Sequence, residues 1–531
     1  MSDDREPPGG LAPLVAGRAR EHGERTFAAE TATGRTLSYQ RLGQLVRWRA
    51  DGLDAAGIGG GARVLIDITD PVYFCAEYLG VVAAGRCAVP VNPDAPDAEL
   101  ARTVAAVRPA AIISDRPARA AAAQVPVVES PPRSLPPGRG RARRTAHAHG
   151  SVLLLTSGST GAPKAVELTE AQLLHVAAGV ARQNELTPAD RGYNPLPLFH
   201  INAQVVAVLA TLVAGATLLT DRKFRRTAFW ERMAEQDVTW INSVPAILTI
   251  LADYPVPARP PRLRFIRSAS APLPAAVRDR IAARAGVPVV ESYGMTEAAS
   301  QITAMPLDGS GPAGSCGRPV GVGLQIRDAD GHPVPPGTSG TVWLRGPGVI
   351  AGYVAGRAAE RFDAHGWLNT GDLGTLDGQG FLFLAGRSDD VINRGGEMLY
   401  PREIEEVLIA DPAVQDAVVV GRPSPILGQV PVAYVIPAEE PATAARLQDL
   451  LAELNERCAA ELSRFKVPEA IYVVQDLPRA ATGKVQRHRV GLGGTAASVD
   501  PGGKAPSVDP GGKAPQTPYA GSARVAHGAP S

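Results

Sequence analysis

Short apolar runs alternate with longer stretches of helical character along most of the chain. Runs of strand length occur at residues 62–66 (Ala-Arg-Val-Leu-Ile), 151–155 (Ser-Val-Leu-Leu-Leu) and 287–290 (Val-Pro-Val-Val). Residues 275–285 are rich in alanine and arginine instead, which is typical of a helix. Strands that alternate with helices in this way predict an α/β fold with largely parallel sheets.

Length and charge narrow the class of partner. The chain has 531 residues, more than one domain usually holds, so two or more hydrophobic cores are expected. Its apolar fraction of 45% is ordinary for a globular protein, and its formal net charge of +1 gives no overall attraction to nucleic acid or membrane. We therefore expect a small-molecule substrate, with neither nucleic acid nor a membrane as partner.

The cysteine pattern and the N-terminus indicate the compartment. Four cysteines lie far apart, without the spacing of a metal site, and we interpret them as buried, reduced thiols: Cys75, Cys87, Cys316 and Cys458. The first six residues are charged or polar rather than apolar, and no apolar run reaches membrane-spanning length. These features predict a cytoplasmic protein without a signal peptide or a transmembrane helix.

Two segments have compositions that oppose a packed core. Residues 131–149 combine proline and glycine with five arginines and no acid, which predicts a mobile connector; without aromatic residues they do not resemble a nucleic-acid patch. Near the C-terminus, residues 498–506 are repeated at 507–515 and are dense in proline and glycine. We expect a disordered tail from residue 493 to residue 531.

The segment from 155 to 164, Leu-Thr-Ser-Gly-Ser-Thr-Gly-Ala-Pro-Lys, predicts a loop that closes over a polyphosphate. Glycines allow the backbone to approach a ligand, hydroxyls donate hydrogen bonds, and lysine adds positive charge. Two residues separate the second glycine from the lysine, so the spacing is not that of Walker A. The candidate phosphate-binding residues are Thr156, Ser157, Gly158, Ser159, Thr160, Gly161 and Lys164.

Four further motifs follow this loop in order. They are Tyr-Gly-Met-Thr-Glu at 293–297, Asn-Thr-Gly-Asp-Leu at 369–373, Gly-Arg-Ser-Asp-Asp at 386–390 and Ala-Thr-Gly-Lys-Val-Gln-Arg at 481–487. Together with the loop, they resemble the core motifs of the adenylate-forming superfamily of acyl-CoA synthetases, luciferases and peptide-synthetase adenylation domains. The resemblance extends from residue 37 to about 487. It implies a large domain of packed sheets and helices at 1–388 and a small, mobile α+β domain at 389–492.

The resemblance implies that the chain joins a carboxylic acid to ATP as an acyl-AMP, releases pyrophosphate, and transfers the acyl group to CoA. It makes Tyr293 the ring stacked on adenine and Glu297 the carboxylate that holds Mg²⁺, a cation that prefers oxygen ligands. It places the hydroxyl of Thr296 at the α-phosphate.

Other nucleotide contacts also follow from the resemblance. Asp372 can accept hydrogen bonds from both ribose hydroxyls, and Arg387 supports that contact. The small residues Ala269, Ser270 and Ala271 correspond to the segment at the edge of the adenine. ATP, Mg²⁺ and CoA are therefore the expected cofactors.

Lys484 is the strongest candidate for the first half-reaction. A long ammonium side chain can reach both the substrate carboxylate and the α-phosphate and lower the repulsion between them. By resemblance, the small domain carries this lysine into the site and rotates about a hinge at Asp389. Gly395 and Gly396 correspond to the loop that meets the pantetheine arm of CoA.

Polar residues mark the expected acyl pocket. His200 corresponds to the mouth of the pocket, with general-base catalysis as a secondary role. Asn202, Gln204 and Ser243 line it and favour a small or hydroxylated acid over a long alkyl chain. Residues 229–230, 238–240, 263–268 and 391–397 resemble the oxalate-CoA ligase branch, from which the chain departs at Asn202 and at 271–272.

Three alternative functions remain open at this point. A stand-alone adenylation enzyme would load the phosphopantetheine of a carrier protein with the same adenylate chemistry. Some relatives in natural-product pathways use this scaffold to activate nitrite for diazotisation. A non-enzymatic nucleotide sensor would have no need for Lys484 on a second domain.

Overall fold

The computed structural model of the chain describes residues 9–129, 149–156, 164–256, 259–356, 358–395, 397–479, 485–491 and 497–499. Several sequence predictions concern residues outside these ranges. They are the connector up to residue 148, most of the tail, and the candidate site residues Ser157, Gly158, Ser159, Thr160, Gly161, Gly396 and Lys484.

The described residues form twelve α-helices and 24 strands. The helices are α1 (Leu11–His22), α2 (Tyr39–Ala55), α3 (Pro71–Ala83), α4 (Asp97–Val107), α5 (Pro117–Ala122), α6 (Glu170–Gln183), α7 (Ala210–Ala214), α8 (Phe229–Glu235), α9 (Pro245–Ala252), α10 (Ala275–Ala285), α11 (Pro401–Ile409) and α12 (Ala444–Glu461). The strands are β1 (Thr26–Glu30), β2 (Thr36–Ser38), β3 (Arg63–Asp67), β4 (Cys87–Pro90), β5 (Ala111–Ser114), β6 (Ser151–Thr156), β7 (Lys164–Thr169), β8 (Arg191–Asn194), β9 (Thr217–Thr220), β10 (Trp240–Ser243), β11 (Phe265–Ser268), β12 (Val289–Met295), β13 (Ser300–Ala304), β14 (Arg318–Pro319), β15 (Gly323–Arg327), β16 (Gly340–Arg345), β17 (Leu368–Leu376), β18 (Leu382–Arg387), β19 (Ile392–Arg394), β20 (Glu397–Leu399), β21 (Val414–Ser424), β22 (Gly428–Pro437), β23 (Ala470–Val473) and β24 (Ala497–Val499).

Two sheets of largely parallel strands build the large N-terminal domain. One has the order β5-β3-β4-β6-β7, with β5 to β6 parallel and β7 antiparallel to β6. The other has the order β14-β13-β12-β11-β10-β8-β9-β1-β2, with β12 to β1 parallel. This confirms the predicted α/β fold. The predicted helix at 275–285 is α10, and the run at 287–290 begins its strand only after Pro288, which has no N–H to donate.

Two further sheets follow. The strands β15-β16-β17-β18 form an antiparallel sheet, which the prediction of largely parallel sheets did not anticipate. The last sheet, built from β19 to β24, belongs to the smaller C-terminal domain, where α11 and α12 cover a separate core that includes Ile404, Val419 and Leu454. The two-part α/β architecture therefore agrees with the prediction.

Residues 497–499 depart from the predicted disordered tail. They form β24, which pairs antiparallel with β23, so that Ser498 lies opposite Tyr472. A short segment with few apolar side chains can take up this position because an exposed edge strand offers unpaired backbone donors and acceptors. The prediction of disorder is therefore wrong for these three residues, and residues 500–531 lie outside the described ranges.

The nine-stranded sheet explains where the candidate acyl pocket lies. Strands β8, β10 and β11 are parallel neighbours, so their carboxyl ends meet at one edge of the sheet. Asn194, Ser243 and Ser268 are the last residues of these strands. Ligands of open α/β sheets bind outside the carboxyl ends of the strands. Several predicted site residues lie at these ends or directly after them.

The cysteines and the helices test two simpler expectations. All four cysteines are free; Cys75, Cys87 and Cys458 are buried, whereas Cys316 is only half-buried. Among the described residues, no helix is both long and apolar enough to cross a membrane.

Candidate active site

Ser243 is the last residue of β10, and the other polar residues predicted for the acyl pocket lie within residues 200–204; we call His200, Asn202, Gln204 and Ser243 the acyl side. The backbone oxygen of Ser243 accepts a hydrogen bond from the N–H of Ala269 at 3.3 Å. This contact joins the acyl side to the segment predicted to edge the adenine. Asn202 is connected to the sheet, because its Oδ1 accepts from Nδ2 of Asn242 at 2.8 Å.

His200 is held as a neutral ring. Its ring centroid lies 4.3 Å from that of Phe199, and its Nε2 is sealed from solvent with no hydrogen-bond partner among the described residues. Burial lowers the pKa of His200 to about 4. A ring with this pKa is uncharged at neutral pH and is a weak proton acceptor, which favours a gating role over general-base catalysis.

Gln204 lies on a π-helix, Ala203–Leu209, that leads into α7. Its Nε2 donates to the backbone oxygen of Leu198 at 3.1 Å, while its Oε1 is buried without a partner in the described part of the chain. π-Helical turns are rare and frequently occur at functional sites. The local geometry thus agrees with a site at this position.

The second group is the nucleotide side: Tyr293, Thr296, Glu297, Asp372 and Arg387. Tyr293 ends in a hydrogen bond from its hydroxyl to Oδ2 of Asp372. Burial and the negative charge of Asp372 raise the pKa of Tyr293 well above its usual value, so the hydroxyl remains a donor. The ring predicted to stack on adenine is therefore fixed at its far end.

The hairpin of β12 and β13 requires glycine beside Tyr293. A Cβ on Gly294 would lie 1.6 Å from the backbone oxygen of Ser300, so no other residue fits without moving the backbone. The register of the two strands shifts between Tyr293 and Gly294. This bulge re-aims the chain just before Thr296 and Glu297.

Asp372 and Arg387 face each other across the antiparallel pair of β17 and β18. Nη1 of Arg387 lies 3.1 Å from Oδ1 of Asp372, and the N–H of Asp372 donates to the hydroxyl of Thr370 at 3.0 Å. The preceding Gly371 has a φ of 75°, which glycine adopts without strain. Each carboxylate oxygen keeps a lone pair after these contacts, so Asp372 can still accept from two ribose hydroxyls.

Glu297 lies buried in a single 3-10 turn, Thr296–Ala298. Its Oε1 accepts from the hydroxyl of Tyr353 at 2.8 Å and lies 3.9 Å from Nη1 of Arg361. Its Oε2 has no hydrogen-bond or ion-pair partner among the described residues, and 10% of the side chain is exposed. An oriented carboxylate with one accessible oxygen suits a hard cation such as Mg²⁺.

The segment predicted to bind phosphate lies between the paired strands β6 and β7. Thr156 pairs with Lys164 at the open end of β6 and β7, so the loop between them joins two antiparallel strands. Nζ of Lys164 lies 5.5 Å from the ring centroid of Tyr353, the tyrosine that bonds Glu297. The structure therefore brings the base of the loop close to the predicted metal ligand.

The adenine-edge segment contains a strained residue. Ser270 has a φ of 76°, in the left-handed region that side chains other than glycine rarely adopt. It lies between Ala269 and Ala271, directly after β11. Backbone strain of this kind concentrates at ligand sites, where the surrounding structure holds it.

Asp389 is exposed in the 3-10 turn Ser388–Asp390, between β18 and β19. On one side of it, the Ser388 hydroxyl donates to the backbone oxygen of Gly371 at 3.0 Å. On the other side, Asp390 lies 3.4 Å from Arg487. The residue proposed as the hinge thus separates a contact to the large domain from a contact within the small one.

The remaining predicted residues lie on the small domain. Gly395 has a φ of 63°, and its N–H donates to the backbone oxygen of Leu427 at 2.8 Å. Lys484 is outside the described residues, but its flanks are held: Arg479 and Val485 form an antiparallel bridge, and Arg487 binds Glu405. The predicted residues therefore form an acyl side and a nucleotide side on the large domain and a third group on the small one.

Sequence reasoning missed four residues that hold these groups. Tyr353 and Arg361 orient Glu297, while Asn242 and Arg267 lie behind Asn202. Tyr353 and Arg361 follow no motif that would mark them. An arginine inside an apolar strand, as in Phe-Ile-Arg-Ser at 265–268, was the one available signal.

Comparisons with known proteins cover both domains. The profile of the AMP-binding enzyme family matches residues 15–354, and that of the AMP-binding enzyme C-terminal domain matches residues 403–484. The chain is 36% identical to the sulfoacetate–CoA ligase of Cupriavidus necator over 502 residues, which is 90% of this chain and 96% of the relative. It is 33% identical to the oxalate–CoA ligase of Arabidopsis thaliana over 86% of this chain and 93% of that one.

A solved structure shares the fold across both domains. It is the o-succinylbenzoate CoA synthetase of Bacillus subtilis in complex with its acyl-adenylate intermediate. The TM-score is 0.77 at 27% identity, and the match covers 90% of this chain and 97% of the other.

Proposed function

Because the chain belongs to the AMP-binding enzyme family, we propose that its acyl side and nucleotide side divide one ligase reaction between them. The chain is an AMP-forming acid–thiol ligase, which uses ATP and Mg²⁺ to form an acyl-AMP and then transfers the acyl group to CoA.

The hydrogen-bonded set Tyr293–Asp372–Arg387 is the observation that supports the nucleotide side. In our proposal, Tyr293 stacks on adenine, Asp372 accepts from the ribose hydroxyls, and Arg387 orients that carboxylate. Thr296 donates to the α-phosphate. Glu297 would hold Mg²⁺, which supplies positive charge to the phosphates when bound.

The small domain supplies the mobile groups. We propose that Lys484 reaches the acid carboxylate and the α-phosphate together and lowers their mutual repulsion during adenylation. Rotation about Asp389 would then withdraw Lys484 and bring Gly395 and Gly396 to the pantetheine arm of CoA. His200, as a neutral ring at the pocket mouth, would separate the adenylate from the thiol path until that rotation.

Buried polar side chains at the acyl side support a small polar acid as substrate. Asn202, Gln204 and Ser243 are all buried, and an alkyl chain placed against them would leave the NH₂ group of Asn202 and Oε1 of Gln204 without partners. The named acids of two relatives, sulfoacetate and oxalate, are both short and polar. We therefore propose a short acid with oxygen-bearing substituents.

A substrate panel tests the proposal. Pyrophosphate release and thioester formation would be measured with glycolate, oxalate, malonate, sulfoacetate, propionate, octanoate and nitrite, and with CoA or a phosphopantetheine carrier protein as acceptor. We expect the short polar acids and CoA to give the highest kcat/KM. Activity confined to octanoate would contradict the acid class, and transfer only to the carrier protein would contradict the acceptor.

A further inference from the structure

Arg267 is a buried cation that has no counter-ion in the described part of the chain. Its side chain on β11 is only 2% exposed, and no carboxylate of the described residues lies within 4 Å of its guanidinium. Its partners are neutral: Oδ1 of Asn242 at 3.0 Å, Oε1 of Gln301 at 3.2 Å and the hydroxyl of Ser292. Burial lowers its pKa to about 9, so it remains charged at neutral pH.

The hydrogen bonds of Arg267 determine how the side-chain amides of Asn242 and Asn202 are oriented. A guanidinium only donates hydrogen bonds, so the oxygen of Asn242 must face it. The NH₂ group of Asn242 is thereby turned the other way, where it donates to Oδ1 of Asn194 at 2.9 Å and to Oδ1 of Asn202 at 2.8 Å. The oxygen of Asn202 in turn faces inward, which directs its own NH₂ group away from the sheet.

The NH₂ group of Asn202 is the outer end of this chain. Its Nδ2 donates to no described residue, and it is not sealed from solvent, in contrast to Nε of Arg267. The residue keeps 9% exposure and stands two positions after His200, at the start of the π-helix. Two N–H donors are thus presented at the acyl side.

The charge of Arg267 and the donors of Asn202 favour the same kind of group. A buried charge without an opposite charge is costly. The side-chain amides of Asn242 and Asn202 are aligned so that their positive NH₂ ends point away from Arg267 and toward the acyl side. An anionic oxygen beside Asn202 would lower that cost, whereas a methyl group would leave both N–H donors unpaired.

We infer that Arg267 is a positioning residue that orients Asn202 through Asn242, so that the acyl side selects acids with a second oxyanion, a carboxylate or a sulfonate, near the activated carboxylate. The inference rests on the proposed function, because it requires Asn202 to contact the acid.

The first test compares acids of similar size. kcat/KM for pyrophosphate release would be measured with malonate, sulfoacetate and propionate, and we expect the two dianions to exceed propionate by about tenfold or more. No release with these three acids or with any other acid of the panel above would overturn the proposed function and the inference with it, whereas release with glycolate but with none of the three would overturn the inference alone. Release at equal kcat/KM for dianions and propionate would overturn the inference alone.

The second test reverses the donor. Asn202→Asp keeps an acceptor for Asn242 but presents a carboxylate oxygen to the substrate, so the ratio of kcat/KM for the dianions to kcat/KM for propionate should fall by about 100-fold. Asn242→Asp should act in the same direction, because its carboxylate pairs with Arg267 and can only accept from Asn202, turning that amide round. An unchanged preference in both variants would overturn the inference.

The third test separates positioning from structural support. Arg267→Met should raise KM for malonate about tenfold with little change for propionate, and Arg267→Lys, which keeps a buried cation that only donates, should restore most of the preference. A purely structural arginine would instead lower kcat for both acids by the same factor. Thermal unfolding of each variant would show that the comparison concerns folded protein.

Discussion

The nucleotide side and the acyl side of the site manage charge in opposite ways. On the nucleotide side, Arg387 lies 3.1 Å from Asp372 and Arg361 lies 3.9 Å from Glu297, so cations and carboxylates are paired within the protein. On the acyl side, the buried cation Arg267 has only neutral partners among the described residues. A site for an invariant ligand can balance its charges in advance, while a site that selects its ligand can leave one charge for that ligand to balance.

The largest effect should come from Lys484, which in our proposal acts on both the acid and the α-phosphate. We expect Lys484→Ala to lower acid-dependent pyrophosphate release by about 100-fold or more, because a positioned donor of this kind is worth about 3 kcal/mol in the transition state. Thioester formation from a supplied acyl-AMP should persist. Lys223→Ala, at an exposed lysine 3.4 Å from Asp94, is the matched control. Equal loss of both half-reactions in folded protein would contradict the assignment.

Fixing the hinge should separate the two half-reactions. Asp389→Pro restricts φ at the proposed pivot and should hold the small domain in the pose that presents Lys484 to ATP. Adenylate formation should survive, while thioester formation falls by about 100-fold. Single-turnover measurement of both steps in the same variant checks this. Normal thioester rates would exclude domain alternation about Asp389.

A change confined to the nucleotide side should affect every acid alike. Asp372→Asn removes the charge that faces Arg387, and a hydrogen bond between charged groups contributes about 1.5–3 kcal/mol, so KM for ATP should rise by about tenfold or more. The factor should be the same with malonate and propionate. Asp377→Asn, in the turn that connects β17 and β18, is the control on the same sheet. A factor that depends on the acid would break the separation of the two sides.

Acidification should lower the free energy of unfolding through His200, a residue of the acyl side. Its pKa of about 4 in the folded chain lies below the usual value near 6.5, so between these values the unfolded chain binds more protons. The free energy of unfolding should therefore fall as pH decreases through this window, by at most about 1.4 kcal/mol per pH unit from this residue. His200→Phe should flatten the dependence in urea unfolding at pH 5 and pH 7, and exposed His332→Phe should not.

The smallest effect is expected far from both sides. Truncation after Val499 should leave kcat and KM unchanged, because residues 500–531 hold the repeated proline and glycine segment with little apolar content. Truncation after Gly491 also removes β24 from β23 and should lower the free energy of unfolding by about 1 kcal/mol or less. Chemical denaturation of both truncated chains measures the difference. A large loss of activity in the chain truncated after Val499 would show that residues 500–531 contribute to the site.

The sequence predicted what depends on neighbouring residues. The α/β alternation and α10 follow from local patterns, and the candidates Tyr293, Asp372 and Arg387 follow from ordered motifs whose spacing the fold preserves. The structure brings these three into one hydrogen-bonded set. Their roles toward a nucleotide stay a prediction.

Contacts between distant segments were not predictable from those patterns. Tyr353 bonds Glu297 across 56 positions, and Arg267 bonds Asn242 across 25, so neither pair leaves a local periodicity. Arg267 also violates the rule that a buried strand is apolar, and that violation coincides with the acyl side. The prediction that residues 497–499 are disordered was wrong for a related reason, because the composition of a segment does not reveal the strand with which it pairs.

The bridge between Arg479 and Val485, reinforced by the N–H of Gln486 donating to Pro478 at 2.7 Å, ties the residue next to Lys484 to the small domain. In the proposed mechanism, Lys484 would act as an intramolecular reagent whose effective concentration is set by how often the small domain occupies the adenylating pose. The availability of Lys484 would therefore depend on the fraction of molecules in the adenylating pose and not on a binding constant. Substitutions at contacts that favour one pose, such as Arg402 with the backbone oxygen of Leu384 at 2.8 Å, would scale the rate without touching either substrate.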